Sequence, residues 1–216
     1  MHLNLLRLSL EPLREASFAA WQEAYMLHQF PFLGVRSPLL KRAVKTYISA
    51  DWRKEIPLLW NEPEREYQYA ALQLALHHKK EWVPADLQLF ETLICSKSWW
   101  DTVDTIAPHL AGALFLRHPE LLVNADRWLK SDHLWLRRSA IIFQLRYKEK
   151  TDANRLFESC ARLGGEKEFF IRKAIGWALR EYGKTEPERV KKFLATASLS
   201  PLSIREARKH LPNMPL

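Results

Sequence analysis

The feature that most constrains this chain is a weak internal repeat. Leu136-Arg137-Arg138 is echoed by Ile171-Arg172-Lys173, 35 residues on, and by Ile204-Arg205-Glu206, a further 33. Counting back from Arg137 in steps of 35 reaches Thr102 and then Tyr67, each inside an apolar-periodic stretch. A unit of about 35 residues holds two helices and a turn, and alone it cannot bury its apolar face. Such units stack, and a stack of helix pairs leaves one curved side as a cradle for a rod-shaped ligand. The match is loose enough that a generic helical bundle fits the same pattern.

Composition agrees with helices. Leu, Ala, Glu, Lys and Arg dominate, glycine is limited to 6 residues, and 47% of the chain is hydrophobic, enough for a sizeable core. Apolar periodicity predicts helices over 11–29, 37–49, 51–60, 63–79, 84–95, 98–114, 119–130, 132–147, 151–163, 166–182, 186–196 and 200–210. No long linker or low-complexity segment divides them. The expected fold is all-α: a right-handed helical solenoid of HEAT-like two-helix repeats with a concave basic face, forming a single domain over residues 1–216.

Several classes are excluded at this point. No apolar run approaches the roughly 20 residues of a membrane span. The N-terminus lacks the basic start and cleavage site of a signal peptide. Cys95 and Cys160 cannot build a secreted disulfide framework, and both read as small core residues in a reducing cytoplasm. His77 and His78 are adjacent on a helix and point apart, and no His-Glu-x-x-His or Cys-x-x-Cys pattern exists, so no metal and no cofactor is expected. Gly164-Gly165 reads as a helix stop.

Charge gives the first functional clue. The chain carries +8, but residues 1–126 hold 13 Lys/Arg against 15 Asp/Glu, whereas residues 127–216 hold 20 against 10. Such asymmetry suits either a polyanionic partner or simply a solubilising surface.

The segment Ser98-Trp99-Trp100-Asp101-Thr102-Val103-Asp104 is the most informative. Ser98 and Asp101 read as a capping box, with Trp99, Val103, Ile106 and Leu110 as the buried stripe. Trp100 and Asp104, four apart, then share another face near the helix N-terminus, where the macrodipole favours an ionised carboxylate. In helix 166–182 the stripe is Ile171, Ala174, Ile175, Ala178 and Leu179. Trp177 falls opposite it, between Lys173 and Arg180. A tryptophan among cations is either a partner contact or a cap over a neighbouring helix. Arg137 and Arg138, on an otherwise apolar helix, suit either a structural ion pair or a bidentate grip on phosphate.

Two indoles, a carboxylate and cations are what one reaction needs. Breaking the bond between deoxyribose and a base leaves an electron-poor sugar. A base alkylated on a ring nitrogen, such as 3-methyladenine or 7-methylguanine, is already cationic and departs without a proton donor. What remains is to stabilise positive charge and place a water, tasks for Asp104 with help from the indole faces.

The sequence resembles the AlkD-type DNA alkylation repair glycosylases, a HEAT-like-repeat family. The resemblance covers nearly the whole chain and rests on Gln29-Phe30-Pro31-Phe32-Leu33-Gly34, Ser98 to Asp104, Trp135-Leu136-Arg137-Arg138, and the run from Phe170 to Arg180. It implies that Trp100, Asp104 and Trp177 line a catalytic cleft, that Arg138 contacts the DNA backbone, and that Tyr25 is a cleft tyrosine. Arg137, Lys173 and Arg180 join them as DNA-contacting candidates. It further implies action on double-stranded DNA that contains alkylated bases, without enclosing the lesion in a pocket; a solenoid that grips DNA needs no partner subunit, so a monomer is expected. The chain would be cytoplasmic and associated with the nucleoid when engaged. With no lysine singled out beside the acid, strand cleavage through a Schiff base is not expected. Two other readings fit a basic helical repeat: a non-catalytic module binding distorted DNA, and a protein-interaction scaffold.

Overall fold

Proline and short polar phrases interrupt the apolar periodicity at close intervals, and most of them mark a helix boundary, Pro57 inside a helix being an exception. The structure, a computed structural model, describes residues 2–211 and is all-helical over them. The chain forms two compact units, Met1–Trp82 and Val83–Leu216.

In the first unit the order is α1 (His2–Leu10), a 3₁₀ turn (Glu11–Leu13), α2 (Ala16–Tyr25), α3 (Ser37–Tyr47), α4 (Trp52–Asn61) and α5 (Arg65–His77). Helix α4 packs along α5, and α1 and α3 close the core formed by Leu6, Leu10, Leu40, Trp52, Ile56, Leu59 and Leu74. The sequence predicts one helix over 11–29 and none before it. Instead Leu6 and Leu10 mark the buried side of a separate α1, and the chain turns at Arg14, which is extended. Pro12 explains the break, because it removes a backbone donor just where the two helices would have to join. The loop before α3 is held by Glu66 of α5. Its carboxylate accepts the backbone N–H groups of Leu33, Gly34 and Val35 at 3.0, 3.0 and 3.1 Å. Gly34 has φ +81°, and a Cβ there would lie 2.1 Å from the Glu15 carbonyl oxygen, so only glycine fits this turn.

The second unit runs α6 (Asp86–Cys95), α7 (Trp100–Thr105), a π-helical turn (Ile106–Ala111), α8 (Gly112–Arg117), a 3₁₀ turn (Pro119–Leu121), α9 (Leu122–Leu129) and α10 (Leu134–Ile142). A 3₁₀ turn (Lys148–Lys150), α11 (Ala153–Arg162), α12 (Phe169–Gly183), α13 (Pro187–Thr196) and α14 (Pro201–Arg208) follow. Two polar side chains start helices here: Asp152 accepts the N–H of Arg155, and Ser200 that of Ser203, each at 3.1 Å.

The repeat positions Tyr67, Thr102, Arg137, Arg172 and Arg205 fall on α5, α7, α10, α12 and α14. The period thus selects every second helix of each pair, as two-helix repeats require. Helix α12 is the spine of the second unit, touching α10, α11, α13 and most closely α14. Its predicted stripe of Ile171, Ala174, Ile175, Ala178 and Leu179 is buried throughout. Cys160 is buried as expected, but Cys95 is exposed at the end of α6 and is not a core residue.

Candidate active site

The site is built around the helix that begins at Trp100. Its start differs from the predicted capping box. The residue before the helix is Trp99, in extended conformation (φ −155°, ψ 163°), and no side chain caps the first turn. Ser98 instead donates its hydroxyl to the Ile94 carbonyl at 2.6 Å, finishing α6 rather than opening α7. The hydroxyl of a serine between two helices can serve either one, and here it returns four residues to an unpaired last-turn carbonyl of α6. One turn into the helix stands Asp104. Four residues later Pro108 has no N–H to give the Asp104 carbonyl, and there the helix widens into the π turn before resuming as α8.

Asp104 is held from the next repeat. Arg138 of α10 donates Nε to Oδ1 at 2.7 Å and Nη2 to Oδ2 at 2.8 Å, a bidentate pair. Its Nη1 donates to the carbonyl of Phe170, in the first turn of α12. One guanidinium therefore ties α7, α10 and α12 together. The Arg138 side chain is 5% exposed and that of Asp104 18%, so the acid keeps a solvent-facing edge and the arginine almost none. Burial pushes the Asp104 carboxyl above its ordinary value, and the hydrogen bond and charge of Arg138 pull it back down. Arg138 thus favours the ionised form against the cost of burial. Behind the pair, Trp99, Trp135 and Phe170 pack edge to face or tilted, with ring centres 5.0–5.7 Å apart, and fix the walls.

Trp100, Asp104, Arg138, Lys173, Trp177 and Arg180 line one cavity of about 280 Å³, closed further by Phe169, Phe170 and Glu206. Six of the eight residues singled out in the sequence thus meet. Trp177 is half-buried, between Lys173 and Arg180 on the cavity side of α12. Arg138, read as a phosphate contact, is committed to Asp104 and Phe170 and offers little free surface. Arg137 is absent from the cavity: its Nη1 donates to the Ser131 carbonyl at 2.8 Å, and its Nε sits 3.3 Å from Glu166. Tyr25 belongs to the first unit, at the end of α2. It is exposed and stacks on Trp21 at 5.5 Å, which in turn stacks on Phe18.

Three lining residues were not singled out as site residues from the sequence: Phe169, Phe170 and Glu206. Glu206 was legible in the repeat, since Arg138, Lys173 and Glu206 occupy the same repeat position on α10, α12 and α14. Among the described residues no group of three or more His, Cys, Asp or Glu could hold a metal, and no helix is long and apolar enough to cross a membrane.

A family model for DNA alkylation repair enzymes matches residues 6–211. The chain belongs to this family. Membership gives it an enzyme's role in the repair of alkylated DNA, with DNA as its partner. Among solved structures, a predicted DNA alkylation repair enzyme from Enterococcus faecalis is 33% identical, with a TM-score of 0.86 over 93% of this chain and 98% of that one. Two proteins from Streptococcus mutans share the fold at lower identity. AlkD2 is 18% identical with a TM-score of 0.63, over 92% of this chain and 99% of its own. The protein smu.31, from strain UA159, is 20% identical with a TM-score of 0.61, over 91% of this chain and 98% of its own. The search of curated proteins gave no match.

Proposed function

We propose that this family member is a monofunctional DNA glycosylase of base excision repair. It hydrolyses the N-glycosidic bond of cationic alkylated purines in duplex DNA, 3-methyladenine and 7-methylguanine among them, and bulkier N3 or N7 adducts. The observation that carries the reading is a half-buried carboxylate, Asp104, fixed by a bidentate arginine in an open cavity that also presents the indoles of Trp100 and Trp177.

The reaction follows from these groups. The bond between C1′ and the base nitrogen breaks, and its electron pair neutralises the positive charge of the departing base. The sugar left behind is cationic, and ionised Asp104 stabilises it at short range in a partly desolvated cavity. Water adds its oxygen to C1′ and yields a proton to the Asp104 carboxylate. Burial favours that transfer, because a carboxyl raised by desolvation is a better base. The indole faces add about 0.5–2 kcal/mol each through their attraction for cations. Trp177→Ala is therefore expected to slow release of 7-methylguanine by about 2- to 30-fold, the rate equivalent of that energy, and a larger loss would give the indole a role beyond cation binding.

Lys173 changes one argument. The sequence singled out no lysine beside the acid, yet this one lines the cavity. Its ammonium lies 3.0 Å from Glu206, and a Schiff base needs a neutral amine. Strand cleavage is therefore still not expected. Borohydride added during turnover should trap no protein–DNA adduct, and a trapped adduct would replace hydrolysis by lyase chemistry. The competing reading, a module that only binds distorted DNA, draws on both Asp104 oxygens being engaged by Arg138. It requires salt-sensitive duplex binding with no base set free.

A further inference from the structure

Glu206 is the second acidic side chain facing the cavity, and its position is built rather than incidental. Helix α14 lies against α12 so closely that a Cβ on Gly176 would sit 2.4 Å from the Glu206 Cβ and 2.8 Å from the Ser203 carbonyl oxygen. Ser203 Oγ locks the crossing by donating to the Arg172 carbonyl at 2.9 Å. Glu206 is thereby held one residue from Trp177, at the height of the two cations that flank it.

Three cations cover its carboxylate. Lys173 Nζ lies 3.0 Å from Oε1, while Arg180 Nη1 and Lys209 Nζ lie 3.0 and 2.8 Å from Oε2. The Glu206 side chain is only 8% exposed, whereas those of Lys173, Arg180 and Lys209 are 37%, 22% and 47% exposed. The cations thus face outward and the anion is enclosed by them. Lys209 and then Lys173 hold the carboxyl down at about 2, so it is ionised throughout the neutral range.

We propose that Glu206 is the built-in counter-anion of the DNA site: in the free protein it occupies Lys173 and Arg180, and a backbone phosphate takes them over when duplex binds. This rests on the reading of the cavity as facing DNA. Cations left bare beside Trp177 would grip any phosphate, which is how sequence-independent binding arises. With Glu206 in place, each phosphate contact replaces an existing ion pair, and undamaged DNA gains little. Once phosphate has taken Lys173 and Arg180, the carboxylate keeps only Lys209 of its three cations, and its charge is less screened in the cavity. A cationic base then gains an attraction that a neutral base does not. Glu206 is in this account a positioning and selectivity residue, distinct from Asp104, which faces the reacting sugar.

The test compares wild type, Glu206→Gln and Glu206→Asp for binding to unmodified duplex between about 50 and 200 mM KCl. Glu206→Gln is expected to bind about tenfold tighter, and its plot of log affinity against log salt should steepen by about 1, for the one carboxylate charge removed. Glu206→Asp, which keeps the charge, should retain the wild-type slope. A Glu206→Gln protein with the wild-type slope, or with weaker binding, overturns the proposal. A second measurement needs no variant. Carbon NMR of the wild-type Glu206 carboxyl during titration with inorganic tripolyphosphate should show its pKa rising from about 2 as the cations are taken. A carboxyl that stays at its starting value with tripolyphosphate bound, or no binding of tripolyphosphate at all, also overturns it. If the carboxyl responds to tripolyphosphate while the protein binds no duplex, the counter-anion stands and the DNA reading of the cavity falls.

Discussion

Asp104→Asn is expected to reduce release of 7-methylguanine from methylated duplex by about 10²–10³-fold, the usual effect of removing one preorganised electrostatic stabiliser. Asparagine keeps the size of the side chain and one acceptor, so Arg138 retains a partner, but the negative charge opposite the developing cation is gone. Its amide also turns a donor toward the Nε or Nη2 of Arg138, both of which donate. Duplex binding should change only a few-fold, because Lys173 and Arg180, the cations that phosphate would take over from Glu206, stay in place. Single-turnover release at saturating protein separates the two effects. A wild-type rate from this variant would remove Asp104 from the mechanism.

Arg138→Gln is expected to combine the largest loss of stability with a displaced pH profile. Removing the buried arginine leaves the half-buried Asp104 without its partner and costs about 3 kcal/mol, the low end of the range for buried pairs, which a urea midpoint reports. The sign of the pH effect follows from Asp104. Burial already raises its carboxyl, and Arg138 opposes that rise. Without the guanidinium the carboxyl moves further up. Base release needs the ionised form, so activity falls as pH drops through this value. The acid limb of the wild-type profile should lie above that of an ordinary carboxylate, and the variant's limb higher still. Stability runs the other way. A carboxyl with a raised folded-state value favours the fold when protonated, so the variant's deficit should shrink as the pH falls and Asp104 takes up its proton. A limb at the wild-type position would show that Arg138 does not set the charge of Asp104.

Much of this arrangement was legible in the sequence, for reasons particular elements make plain. The stripe on α12 is a clean helical period, so the polar side of that helix, with Lys173, Trp177 and Arg180, followed by subtraction. Trp100 and Asp104 emerged in the same way. Other features depend on choices between local alternatives that a pattern does not decide. Ser98 can close one helix or open the next, and it closes α6. Arg138 reads equally as a phosphate grip or an internal partner, and only the placement of α7 beside α10 assigns it to Asp104. Helix α1 was lost because its leucines crowd several faces, hiding the Leu6–Leu10 spacing. The π turn had a visible cause in Pro108, but a proline inside a helix signals a kink or an end as readily as a widened turn. Glu206 was noted as part of a repeat, not as a charge, and its importance lies in a helix crossing that no local pattern encodes.

The central claim is that ionised Asp104, beside two indoles, lets an already cationic base depart from its sugar. Incubating the purified protein with methylated duplex DNA and separating the liberated purines by chromatography tests it most directly. The account predicts free 7-methylguanine and 3-methyladenine, no free guanine or adenine, and intact strands until alkali is added. Salt-sensitive binding to the same duplex with every methylated base still attached would contradict it.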